Sequence, residues 1–161
     1  MESAVHGLGI SVQPGDPRGE PAISLMRELM DEEAIRYADL GADTFDSFRP
    51  EDVLSAHGAF VIACLDGHPV GCGALRPIDP DAAEINRMYV SPAVRRRGVG
   101  RALLADLERR AAGFGCRVIR LETGDRQPEA MALYEGAGFH RTTPFGSHAG
   151  DPISVFFEKA L

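Results

Sequence analysis

The chain has 161 residues, 44% hydrophobic and 25% charged, which suits a single domain over residues 1–161 and excludes an intrinsically disordered chain. Seventeen Lys and Arg against 24 Asp and Glu give a formal net charge of −7, the wrong sign for nucleic acid as the main partner. No stretch approaches the roughly 20 apolar residues that a membrane helix needs, so no membrane partner is expected either.

The start, MESAVHGLGISVQ, has no basic stretch leading into an apolar run, so no secretory signal is expected. A first strand is expected over residues 8–13, closed by Pro14-Gly15-Asp16-Pro17. A helix follows over residues 21–38, with Pro21 in its first turn and Leu25, Met26, Leu29, Met30, Ala34 and Tyr37 at helical spacing. A short helix is expected over residues 50–56. Strands over residues 59–65 and 70–75 flank Asp66-Gly67-His68-Pro69, which reads as a tight hairpin, and a further strand covers residues 83–90.

From residue 98 to 114 an amphipathic helix places Leu103, Leu104, Leu107, Ala111 and Phe114 on one face. Residues 117–123 form a strand, and 128–137 a helix with Pro at its start and Gly138 at its end. Residues 139–143 and 153–158 are closing strands, whose edge leaves a homodimer open. The order β-α-α-β-β-β-α-β-α-β-β implies an α/β (α+β) fold with a mixed sheet and helices on its faces.

Cys64, Cys72 and Cys116 show no C-x-x-C pairing and sit in apolar runs, as small buried hydrophobes do, which implies a reducing, cytoplasmic setting. His6, His57, His68, His140 and His148 lack ligand spacing, so no metal site is expected. Lys159 is the sole lysine, and no Gly-x-Ser-x-Gly elbow is present.

The informative segment runs from Glu84 to Arg101. A strand ends near Val90, a loop carries three arginines, and Gly98-Val99-Gly100 opens the long helix. The first helical N–H groups lack intrahelical acceptors, the helix dipole favours negative charge there, and glycine lets a phosphate approach the backbone. Arg95, Arg96, Arg97 and Arg101 add positive charge in an acidic protein, which points to an anionic ligand. A dinucleotide fingerprint would need a third glycine where Leu103 stands, and a P-loop would need Gly-Lys-Ser/Thr.

Arg95-x-x-Gly98-x-Gly100, after a strand ending Met88-Tyr89-Val90, resembles the Arg/Gln-x-x-Gly-x-Gly/Ala signature of the GCN5-related N-acetyltransferase (GNAT) superfamily. Leu121-Glu122-Thr123, Ala130-Met131-Ala132-Leu133-Tyr134-Glu135 and Gly138-Phe139 extend the resemblance over residues 59–143. It implies a mostly antiparallel sheet whose one parallel pair, ending near Val90 and Thr123, splays to admit acetyl-CoA. It further implies that the main chain of Met88, Tyr89 and Val90 pairs with the pantetheine arm, while the amides of residues 96–101 hold the pyrophosphate.

Acetyl transfer to an amine needs a base for the amine, donors for the oxyanion and an acid for the thiolate. Tyr134, at the family's Leu-Tyr position, is the expected acid. Two carboxylates stand open as base: Glu84, eleven residues before Arg95, and Glu122, five before Gln127. Gln127 stands where many relatives carry an Asn that bonds the pantetheine arm. Tyr37, Phe45, Phe48, Phe145, Ser147 and His148 fall in regions that form the acceptor side.

The implied activity is direct acetyl transfer from acetyl-CoA to a primary amine, of a small molecule first and of a protein N-terminus or lysine second. A CoA-binding module without turnover is the reading from another class.

Overall fold

The computed structural model describes residues 9–40 and 48–161, together with the backbone of residues 3–5. Strands β1 (Ser3–Val5) and β2 (Ile10–Pro14) precede helices α1 (Ala22–Arg36) and α2 (Pro50–Val53). Strands β3 (Ala59–Leu65), β4 (His68–Asp79) and β5 (Ala82–Val90) lead to α3 (Val99–Gly113), β6 (Val118–Gly124), α4 (Pro128–Gly136), β7 (His140–Arg141) and β8 (Ser154–Ala160). They form one eight-stranded sheet in the order β1-β2-β3-β4-β5-β6-β8-β7, antiparallel except for β5 and β6.

The expected mixed sheet with helices on both faces is therefore present. One face packs α3 through Leu103, Leu104 and Leu107, all fully buried, against Val12, Val61, Ile85 and Leu121. Each such leucine contributes about 1.5–3 kcal/mol. The other face packs Leu25 and Leu29 of α1 against Phe60, Ile62, Cys72 and Tyr89.

Three expectations are corrected at the level of elements. A strand over residues 3–5 was not anticipated, and residue 8 of the expected first strand lies outside the described residues. The hairpin turn is two residues rather than four: Leu65 pairs with His68, and Asp66 and Gly67 both take positive φ (51° and 83°), as a type I′ turn requires. The strand expected over 139–143 shortens to His140–Arg141, because β8 occupies the place beside β6 and leaves β7 at the edge.

Two local features position the site. Strand β5 pairs with β6 only from Ala82↔Val118 to Ile85↔Leu121; beyond Ile85 its inner edge has no strand beside it. On its other edge the register shifts, so that Arg87 and Met88 together stand opposite Gly73. This is a β-bulge, and Arg87 takes φ 51°, a conformation disfavoured for residues with a Cβ. The Cys72 thiol donates to the Arg87 carbonyl at 3.3 Å and braces it.

Candidate active site

The gap between the splayed strands opens on two cavities. The larger, about 610 Å³, runs along Met88, Tyr89 and Val90, passes the loop before α3, and is closed by Leu133 and Tyr134 of α4. At its α3 end Gly98 has φ 90°, in the left-handed region, and its carbonyl accepts the first helical bond from Ala102 at 3.0 Å. A Cβ on Gly100 would stand 2.9 Å from the Leu133 side chain, so α3 and α4 approach closely only because that residue is glycine. The α3 amides therefore face the groove bare, beside guanidinium groups.

The four arginines of this segment do not share one role. Arg95 donates to the Val90 carbonyl at 2.9 Å and pairs with Glu32 of α1 at 2.6 Å, so it ties the loop to α1 instead of pointing an unpaired charge at the groove. Its guanidinium also lies over the Tyr89 ring, 5.8 Å from the centroid. Arg96 and Arg101 line the groove and carry no ion pair among the described residues. Arg97 is exposed and does not line it.

Tyr89 can offer the groove only its backbone, since its ring packs into the α1-side core and burial beside Glu28 and Glu32 pushes its hydroxyl up to about 12. Val99 is similar: the residue is buried, its side chain in the α3 core, so at the groove it can contribute only its backbone.

The smaller cavity, about 110 Å³, is lined by Glu33 of α1, Tyr37 just past its end, Phe48, Asn86 and Arg87 of β5, and Glu122 of β6, with Asp151 and Ser154 at its side. Leu29, Met88, Gln127 and Tyr134 line both cavities, so the two meet there. The Arg87 guanidinium lies 5.3 Å over the Phe48 ring. Tyr37 closes against β6: its hydroxyl accepts from the Arg126 amide at 3.1 Å and occupies the space that a Cβ on Gly124 would need.

Tyr134 is 6% exposed, with its ring against Phe139 and Phe157. Burial, then the charges of Glu33 and Glu122, raise its hydroxyl above the ordinary tyrosine value, so it holds its proton at neutral pH. Gln127 stands at the start of α4 without capping it, its side chain available at the junction.

Glu84 and Glu122, the two carboxylates the sequence left open, are separated by the splay. Glu84 is 6% exposed, accepts from Arg76 at 2.6 Å and from Asn86 at 2.9 Å, and lines neither cavity. Its β5 position pairs with Arg120, below the point where the strands part. Glu122 lies one residue past that point and lines the smaller cavity.

Of the residues expected on the acceptor side, Tyr37 and Phe48 line this cavity, while Phe145, Ser147 and His148 do not; Phe145 packs on Phe156. Phe45, like His6, lies outside the described residues. Glu33 was missed, although Leu29, Glu33 and Tyr37 recur every fourth residue as one helical stripe. No cluster of three or more His, Cys, Asp or Glu able to hold a metal, and no helix long and apolar enough to cross a membrane, occurs among the described residues.

Comparisons with known proteins agree with this geometry. The profile of the Acetyltransferase (GNAT) family matches residues 23–139. An "IAA acetyltransferase" of Azospirillum brasilense is 41% identical over 104 residues, covering 63% of this chain and 67% of that protein. A Klebsiella pneumoniae subsp. pneumoniae MGH 78578 structure assigned to the acyl-CoA N-acyltransferases superposes with a TM-score of 0.77 at 29% identity, over 94% of this chain and 97% of that one. An Elizabethkingia anophelis GNAT family acetyltransferase with acetyl-CoA bound shares the fold, with a TM-score of 0.67 at 19% identity over 95% and 99% of the two chains. A sheet that opens between the parallel strands β5 and β6, bare amides at the tip of α3 and a family match across most of the chain lead to one conclusion: the protein belongs to the GNAT family of acetyl-CoA-dependent N-acetyltransferases.

Proposed function

We propose that this chain transfers acetyl from acetyl-CoA directly to a small primary amine within a ternary complex. The observation that carries the reading is the meeting of the two cavities at Tyr134: one is flanked by bare amides and arginines, the other by carboxylates. In this reading the diphosphate of acetyl-CoA rests on the amides of residues 96–101, with Arg96 and Arg101 alongside. The pantetheine arm runs along Met88, Tyr89 and Val90, and Gln127 contacts it.

The thioester then lies at the junction, where an N–H at the bulged end of β5 polarises its carbonyl. Tyr134, held protonated, gives its proton to the departing thiolate. Glu122 takes a proton from the amine. An acidic cavity favours a cationic acceptor over an anionic one. Three buried free thiols, Cys64, Cys72 and Cys116, suit work in a reducing cytoplasm.

The test is thiol release from acetyl-CoA across a panel of amines and peptides. Turnover with small amines and none with peptides supports the proposal. Turnover with peptide N-termini or lysines alone moves the assignment to protein acetylation. Tight acetyl-CoA binding with no turnover on either panel makes the chain a binding module.

A further inference from the structure

The product of acetylation sets a proton count. An alkylamine, with a pKa of about 10.4, arrives at neutral pH as R–NH3+. The amide that leaves keeps one N–H, so two protons must come off the nitrogen, one bound for the CoA sulfur and one for solvent. Glu122 alone receives the first of these and must be emptied before it can receive the second.

A second carboxylate lies in the same cavity. Glu33 projects from α1 in the stripe Leu29, Glu33, Tyr37, across the cavity from β6. Its neighbour Glu32 is committed to Arg95 and Arg36. Glu33 by contrast makes no hydrogen bond or ion pair through its carboxylate among the described residues, and it is half-buried in the lining of the smaller cavity. The charged and titratable groups around it are Arg87 of β5, Glu122 of β6, Tyr134 of α4, and Arg36 and Glu32 of its own helix.

We propose that Glu33 is a second catalytic carboxylate, which with Glu122 receives the two protons of an acceptor that enters as a primary ammonium ion. This rests on the acetyl-transfer reading above. Glu33 takes the first proton from R–NH3+, and the freed nitrogen lone pair attacks the thioester carbon. Glu122 takes the second proton from the nitrogen of the tetrahedral adduct. The C–S bond breaks, and the thiolate receives the Tyr134 proton. One carboxyl returns a proton to the Tyr134 oxygen and the other releases its own to solvent. The sum is R–NH3+ and acetyl-CoA giving the amide, CoA thiol and one proton. Burial, reinforced by the Glu122 charge and opposed by Arg87, raises Glu33 above the ordinary glutamate value, which brings it nearer to neutral pH, where a base is most effective.

The test assays the full chain for thiol release with acetyl-CoA and ethanolamine, benzylamine, putrescine or glycinamide, following kcat/KM with pH for the native chain, E33Q and E122Q. E33Q should lower kcat/KM about 100-fold or more and move the acidic limb to lower pH, while calorimetric acetyl-CoA affinity stays near native. E122Q should move the limb to lower pH as well, because Glu33 loses the like charge beside it. A native-like rate and limb in E33Q overturn the role of Glu33 and leave acetyl transfer standing. If E33Q does not fold, an unmoved limb in E122Q overturns it instead. No thiol release by the native chain with any of the four amines overturns both readings.

Discussion

The joined and the splayed stretches of the parallel pair make the instructive comparison. Glu84 and Glu122 are two carboxylates on neighbouring strands of one sheet. Where β5 and β6 are still joined, Glu84 is enclosed, ion-paired with Arg76 and hydrogen-bonded by Asn86. One residue past the last pair, Glu122 lines the smaller cavity. The difference lies in neither residue type nor strand propensity. It follows from where β5 and β6 stop pairing, two residues before the bulge at Arg87.

The sharpest way to break this comparison is at the junction itself. Tyr134→Phe removes only a hydroxyl, and kcat should fall about 10²–10⁴-fold in the thiol-release assay, while acetyl-CoA affinity stays near native. Native turnover in this variant would detach the splay from the chemistry.

Gly98→Val comes next, because a branched side chain is forced into φ 90° beside the phosphate groove. Calorimetry should show at least about tenfold weaker acetyl-CoA binding, from a strain of roughly 1–2 kcal/mol and lost approach to the amides. Far-UV circular dichroism should remain native.

Glu84→Gln tests the joined side. It leaves Arg76 without its charged partner, and denaturant unfolding should show a loss of about 1 kcal/mol. The acidic limb of the rate profile should stay in place, whereas Glu33→Gln and Glu122→Gln move it. A limb that shifts in E84Q would return Glu84 to the mechanism.

The smallest effect belongs to the loop. Arg96→Ala should weaken acetyl-CoA binding about two- to fivefold at low salt, with the difference shrinking as ionic strength rises, since exposed charges are screened. Arg97→Ala, away from the groove, should do less.

Much of the scaffold was legible because it repeats local rules. The α3 stripe of Leu103, Leu104 and Leu107 declares a helix face at 3.6-residue spacing, and it is fully buried. Asp66-Gly67 announces a hairpin through the positive φ that Gly tolerates, although the turn proved two residues tighter. The ends were less legible: β7 shrinks because β8 inserts beside β6, a choice between distant segments that no local pattern records.

In the site, Gly98 and Gly100 mark the phosphate-facing turn by chemistry that only glycine supplies. Glu33 stayed hidden because an acidic residue on a helix reads as a solvated face until the sheet opposite it opens. Arg95 lines the groove as expected, and α1 also brings Glu32 to 2.6 Å of its guanidinium, a pairing no local pattern records.

By itself, then, the sequence determined the order of elements, the helix faces and the glycine turn at α3, because each is set by neighbours a few residues apart. Tertiary structure decided which carboxylates border the cavities. Those outcomes depend on where two strands 30 or more residues apart stop pairing, and on how a helix from the start of the chain lies across the gap they leave.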